Sequence, residues 1–122
     1  MNAEHRALIV EDDPAIRKLV GKLLARRGIE IDTARDGREA MEKIENNDYS
    51  VVVLDLMLPE VNRFEIIDFV RTKGIRVPIA VVSAVTHQAL TQVDHEIVKL
   101  VISKPFDVHE FTNAIYALCC ER

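Results

Sequence analysis

Glu11, Asp12 and Asp55 each close a short run of apolar residues: "ALIV" leads into "EDD" at 11–13, and "SVVVLD" ends on Asp55. Ser83 ends "VPIAVVS", and Lys104 follows "KLVIS" in the same manner. An apolar run that ends on one polar group is how a buried strand delivers that group to the rim of a sheet. Carboxylates gathered at one rim repel each other, and one of them tends to take up a proton unless a cation intervenes. Mg2+ meets that need, because it takes about six oxygens in an octahedron from carboxylates, waters and phosphate. Lys104 would add a second positive charge and Ser83 a hydroxyl donor. Two cationic centres and a donor around one carboxylate make a site for a doubly charged anion. A phosphoryl group carried covalently by Asp55 as nucleophile fits it.

The elements that must position these groups alternate along the chain. "ALIV" (7–10) reads as a buried strand. Ile16, Leu19, Val20, Leu23 and Leu24 then fall on one face of a helix, with Asp13 as its N-cap, Pro14 at the first helical position and Gly28 as its stop. "IEIDTA" (29–34) alternates as a strand does, and it ends near Thr33 without a comparable polar group. A helix over 36–47, a doubly buried strand over 50–55, a helix over 63–74 and a strand over 77–84 follow. A weaker helix over 87–96, a strand over 99–103 and a last helix over 107–120, capped by Asp107 and carrying Phe111, Ala114, Ile115 and Leu118 on one face, complete the pattern. Five strand–helix repeats without a break in composition predict one domain over 1–122. Strict alternation means a parallel sheet with helices on both faces and right-handed crossovers. Ligands of such sheets bind beyond the C-terminal strand ends, where the strand order reverses. The opening groups all fall on that edge.

"IVEDD", "VLDLMLP", "VVSA" and "SKPF", in this order on alternating elements, resemble the receiver domain of two-component response regulators. The resemblance covers essentially the whole chain, and the ordered set is far more specific than any single motif. It implies a flavodoxin-like α/β fold, a five-stranded parallel sheet in the order 2-1-3-4-5 with five helices. It implies that Asp55 accepts a phosphoryl group from the phosphohistidine of a sensor histidine kinase or phosphotransfer protein. Glu11, Asp12 and Asp55 would hold Mg2+, with the backbone carbonyl of Met57. Ser83 and the Ala84 amide would bond phosphoryl oxygens, Lys104 would pair with another, and a cis peptide before Pro105 would aim the lysine inward. The chemistry would be limited to self-phosphorylation and self-dephosphorylation, with the signal passed by conformational change. Such domains often pair through their fourth helix, fifth strand and fifth helix, so a homodimer is the assembly the resemblance allows.

Two positions depart from that pattern. Arg63 stands where the family usually has glycine, in the expected loop into the third helix, and it requires negative φ there or some strain. Val101 stands where an aromatic ring, three residues before the lysine, normally swings inward on activation. "DHEIVKLVIS" likewise replaces the usual small-residue segment before the last strand. The expectation is intact phosphorylation with altered or weak output through the fourth helix and fifth strand.

Other residues read more plainly. Asp13 is a cap rather than a metal ligand. "REAMEKIE" is an exposed charged face, and His5, His87, His95 and His109 lack ligand spacing and are surface residues. Phe106 packs in the core. Adjacent Cys119 and Cys120 lack spaced partners and read as reduced thiols of an intracellular protein. The net charge of −4 argues against nucleic-acid binding by this domain alone. No apolar run is long enough for a membrane span, and "MNAEHRALIV" has no signal-peptide core, so the expected address is the cytoplasm. The sequence starts at Met1 and stops just after the last helix, which suits a stand-alone receiver or the N-terminal receiver of a longer protein with an unknown output. The alternatives are a phosphate-independent receiver-like interaction module and a phosphoaspartate phosphatase. The latter is disfavoured because Met57 occupies the place of its second acid.

Overall fold

The computed structural model describes residues 5–55, 60–83, 98–103 and 108–120. Five strands, β1 (His5–Val10), β2 (Ile29–Ala34), β3 (Val51–Asp55), β4 (Ile79–Ser83) and β5 (Val98–Ser103), form one parallel sheet in the order β2-β1-β3-β4-β5. Among the described residues four helices connect and cover them: α1 (Pro14–Ala25), α2 (Gly37–Asn46), α3 (Glu60–Lys73) and α4 (Val108–Cys120). The sheet order is the expected one. The helix expected over 87–96, the fourth of the five, lies outside the described residues, as do Asp107 and Phe106. The chain leaves β1 toward β2 on one side and toward β3 on the other, so the order reverses between β1 and β3.

The local starts and stops follow from side-chain chemistry. Asp13 holds extended backbone (φ −81°, ψ 115°), and its Oδ1 accepts from Ala15 N at 2.9 Å and Ile16 N at 3.4 Å. These are two of the donors that a helix start leaves unpaired, and Pro14 follows at a position that needs no N–H. Gly28 takes φ +82° after α1, a conformation open to glycine without strain. Asp36 caps α2 by accepting from Glu39 N at 2.9 Å.

One expectation is corrected at α3. The helix begins at Glu60 rather than at 63, so Arg63 lies in its first turn and not in an entering loop. Among the described residues no non-glycine residue has positive φ. Helical backbone needs negative φ, and arginine is a good helix former, so this departure from glycine brings no backbone strain.

Side chains alternate across the sheet into two cores. Leu8, Val10, Val52, Leu54 and Val81 pack with Ala40 and Ile44 of α2 and Ile66 and Val70 of α3. Ala7, Ile9, Val51, Val53 and Val82 pack with Val20 and Leu24 of α1 and Phe111, Ile115 and Leu118 of α4. Burial on both faces explains why β1 and β3 read as continuous apolar runs. Two further expectations change. "REAMEKIE" is not wholly exposed, because Ala40 and Ile44, four apart, face the core. Leu19 is 56% exposed, because the sheet meets the Ile16–Val20–Leu24 row of α1 and Leu19 lies about 100° around the helix from Val20. Between β4 and β5 the register shifts: Ile79 pairs with Val98 but Ala80 with Leu100, which leaves Lys99 as the extra residue.

A polar network closes the opposite, N-terminal rim. Arg6 Nη2 lies 2.7 Å from Asp32 Oδ2, its Nη1 donates to Asn47 Oδ1 at 3.3 Å, and Tyr49 donates its hydroxyl to Asp32 at 2.7 Å. Ser50 N donates to Arg6 O at 2.7 Å, and Ser50 Oγ accepts from Arg6 N at 3.2 Å. At the α1–α4 contact, the Arg27 guanidinium lies 4.6 Å from the Tyr116 ring and bonds Asn113. His109 is exposed, whereas His5 is half-buried, edge-on to Tyr116, with Nε2 3.7 Å from Cys120 Sγ; His87 and His95 lie outside the described residues. Cys119 and Cys120 are both free thiols.

Candidate functional site

The sheet register carries the expected polar residues to one edge. Val10 pairs with Leu54, so Glu11 and Asp55 come next on neighbouring strands, at the reversal point. Asp55 pairs with Val82, and Ser83, the last residue of β4, pairs with Ser103, the last residue of β5. Lys104 follows Ser103 in sequence. The backbone thus brings Glu11, Asp12, Asp55 and Ser83 to the C-terminal rim. Met57, Ala84, Lys104 and Pro105 lie outside the described residues.

The acidic loop between β1 and α1 is held by several hydrogen bonds. Glu11 N donates to Ala34 O at 3.0 Å, which continues the β1–β2 pairing past Val10. The Glu11 side chain is buried (5% exposed), and its Oε1 accepts from Asp13 N at 3.1 Å. Arg17, one turn into α1, reaches back with Nη1 and donates to Glu11 O at 2.9 Å. Asp12 stands exposed between these anchors. Asp13 is spent on the cap, as the sequence predicts. The end of β2 is closed by α2: Lys43 Nζ donates to Thr33 O at 2.5 Å, and Glu39 lies 3.6 Å from Lys43 and 3.3 Å from Arg35. Among the described residues no group of three His, Cys, Asp or Glu side chains gathers to hold a metal; the side chain of Asp55 lies outside them. Sequence reasoning missed Arg17. Its signal was a cation one turn inside the helix that follows an acidic pair.

A five-stranded doubly wound sheet with an acid loop at its reversal point defines the class. The chain belongs to the response regulator receiver domain family, whose profile matches residues 7–116. Receiver domains are signalling switches of two-component systems rather than enzymes. Over 93% of its length the chain is 36% identical to the alkaline phosphatase synthesis transcriptional regulatory protein SphR of Synechococcus elongatus, of which it spans 48%. It spans 31% of the transcriptional regulatory protein TcrA of Mycobacterium tuberculosis, so the chain covers half or less of these relatives. Among solved structures, a Francisella response regulator receiver domain superposes with a TM-score of 0.87 over 97% of this chain and 98% of that one, at 24% identity. The response regulator TrrA of Thermotoga maritima, in complex with Mg2+ and BeF, superposes with a TM-score of 0.81 over 93% and 98%, at 30% identity.

Proposed function

We propose that this chain is a phosphoacceptor switch in a two-component phosphorelay, with Asp55 as the acceptor. A carboxylate oxygen of Asp55 attacks the phosphorus of a phosphohistidine on a sensor histidine kinase or phosphotransfer protein. The P–N bond breaks, its electron pair stays on the departing imidazole, which takes up a proton from solvent, and Asp55 becomes an acyl phosphate. Glu11, Asp12, Asp55 and the Met57 carbonyl offer an all-oxygen donor set, which fits Mg2+ better than any softer ion. When bound, the ion neutralises charge on the phosphoryl oxygens. The Ser83 hydroxyl and Ala84 N–H donate to those oxygens, and the Lys104 ammonium pairs with another. Residues 1–122 act as one receiver domain in the cytoplasm. The new charge at the rim biases the domain between two conformations, which an output domain or partner reads.

The observation that carries this reading is the strand register that puts Glu11, Asp55 and Ser83 at successive positions on neighbouring strand ends. The relative solved with Mg2+ and BeF supports the choice of ion. The net charge of −4 fits a domain that leaves nucleic-acid contact to another part of the assembly. Among the described residues no helix is long and apolar enough to cross a membrane.

Intact mass after incubation with Mg2+ and acetyl phosphate, beside an Asp55→Asn control, tests the reading. The expected result is one added phosphoryl group that needs Mg2+ and is absent from the control. No gain and no Mg2+ binding would overturn it in favour of a phosphate-independent module.

A further inference from the structure

We infer that Arg17 is a positioning residue for the metal-binding loop, which deepens the reading of the site given above and rests on it. The Glu11 carbonyl accepts from Arg17 Nη1 at 2.9 Å, while the Glu11 amide is bonded to Ala34 O at 3.0 Å. The peptide groups on both sides of Glu11 are therefore fixed, one to β2 and one to α1. Oε1 of the same residue bonds Asp13 N at 3.1 Å, and Asp13 in turn caps α1 through Ala15 and Ile16. Arg17 N itself donates to Asp13 O at 2.9 Å. The Arg17 side chain thus holds the Glu11 end of the acidic turn, while the Asp13 end is held by the first helical bond, which the backbone at 17 makes whatever its side chain. Asp12, the exposed carboxylate between them, has its backbone set by those two anchors.

Two effects of the guanidinium on a bound cation oppose each other. Its charge repels Mg2+, and its hydrogen bond holds the carboxylates in place before the ion arrives. The charge is half-exposed, so water and salt screen it. The bond is a charge-assisted one to a backbone carbonyl, beside a buried carboxylate, and such bonds are among the stronger ones. Preorganisation therefore outweighs repulsion, and the loop without Arg17 binds Mg2+ more weakly although a positive charge has been removed.

The test uses the full chain with Arg17→Met and Arg17→Lys. Mg2+ affinity is read by isothermal titration calorimetry, and amide exchange is read in the metal-free protein. Arg17→Met should weaken Mg2+ binding roughly tenfold, the lower end of what losing a group that holds metal ligands in place costs. It should also speed exchange at the Glu11 and Asp13 amides by a similar factor, with Val52 to Leu54 unchanged. Arg17→Lys, which keeps a charge and a donor, should fall between Arg17→Met and the parent. Equal or tighter Mg2+ binding by Arg17→Met would overturn the inference while leaving the site reading intact. So would uniform acceleration of exchange, which marks a general loss of stability. If Arg17→Met does not fold, Arg17→Gln, neutral and shorter, decides: weaker Mg2+ binding with faster exchange confined to the Glu11 and Asp13 amides supports the loop anchor, and parental affinity and exchange overturn it. A parent that binds no Mg2+ would overturn both readings together.

Discussion

Tyr49 is 2% exposed, and it shows what a buried phenol needs. Its hydroxyl donates to Asp32 at 2.7 Å, and the Arg6 guanidinium lies 5.4 Å from its ring. Burial, then the hydrogen bond and negative charge of Asp32, push its pKa well above the ordinary 10.0, against a smaller lowering by Arg6. The neutral phenol is the form the fold favours. Because the folded value lies above the unfolded one, its contribution is whole below pH 10.0 and is lost as pH rises from there toward the folded value. Tyr49→Phe should cost about 1 kcal/mol near neutrality by removing one hydrogen bond. It should also flatten the alkaline fall in stability, which urea melts of both proteins between pH 8 and 11 would read as a shrinking difference. This network was not legible in the sequence. Arg6, Asp32 and Tyr49 stand far apart in the chain, and the β1–β2 register, with Arg6 opposite Glu30, and the β1–β3 register, with Ala7 opposite Val51, together bring them to one rim. The buried Leu24 and the exposed Leu19 shared one spacing pattern and parted only when the sheet chose its row. Leu24→Ala should cost roughly 2–5 kcal/mol, whereas Leu19→Ala should stay near the ±0.5 kcal/mol of ordinary surface changes.

At the scale of the element, α1 was the most legible part of the chain. Its cap, its proline and its stop all have chemistry visible in the residues themselves. Asp13→Ala should therefore lower stability by about 1 kcal/mol, since two amides lose their acceptor. The same helix holds a spare increment. A Cβ at Gly21 would meet Ile31 Cγ2 at 3.6 Å and Ile9 Cδ1 at 3.9 Å, which is ordinary contact. Gly21→Ala should raise stability by up to about 1 kcal/mol, seen as a higher urea midpoint at unchanged slope. The helix expected over 63–74 begins three residues earlier, at Glu60. Pro59 followed by Glu60 is a start signal in its own right, and it sits where the helix begins. The apolar side of α2 was hidden by its charges, since Ala40, Met41 and Ile44 are only three residues among ten.

Over the whole molecule, β1, β3, β4 and β5 were legible as short apolar runs that lead to a polar residue and β2 by its alternation, whereas the strand order was implied by the family resemblance that those runs carry. What the sequence could not supply was register. The offset of Lys99 between β4 and β5 has no local signature, and it decides that Ser83 lies opposite Ser103. Val101, opposite Val81 on the sheet, belongs to the strand expected to report phosphorylation. Phosphorylated and unphosphorylated chains should differ little in amide exchange over residues 98–103, and a large protection change there would show that output does not need an aromatic ring at this position. Among the described residues the two cores that flank the sheet share no side chain, since Val52 and Leu54 serve one and Val51 and Val53 the other. The sheet is thus a partition for mutational effects. Truncations on opposite sides, such as Leu24 with Ile66, should combine additively, whereas Leu24 with Leu118 on one side should show epistasis. Among the described residues each half of the interior answers to its own pair of helices, so the two are free to drift in sequence independently.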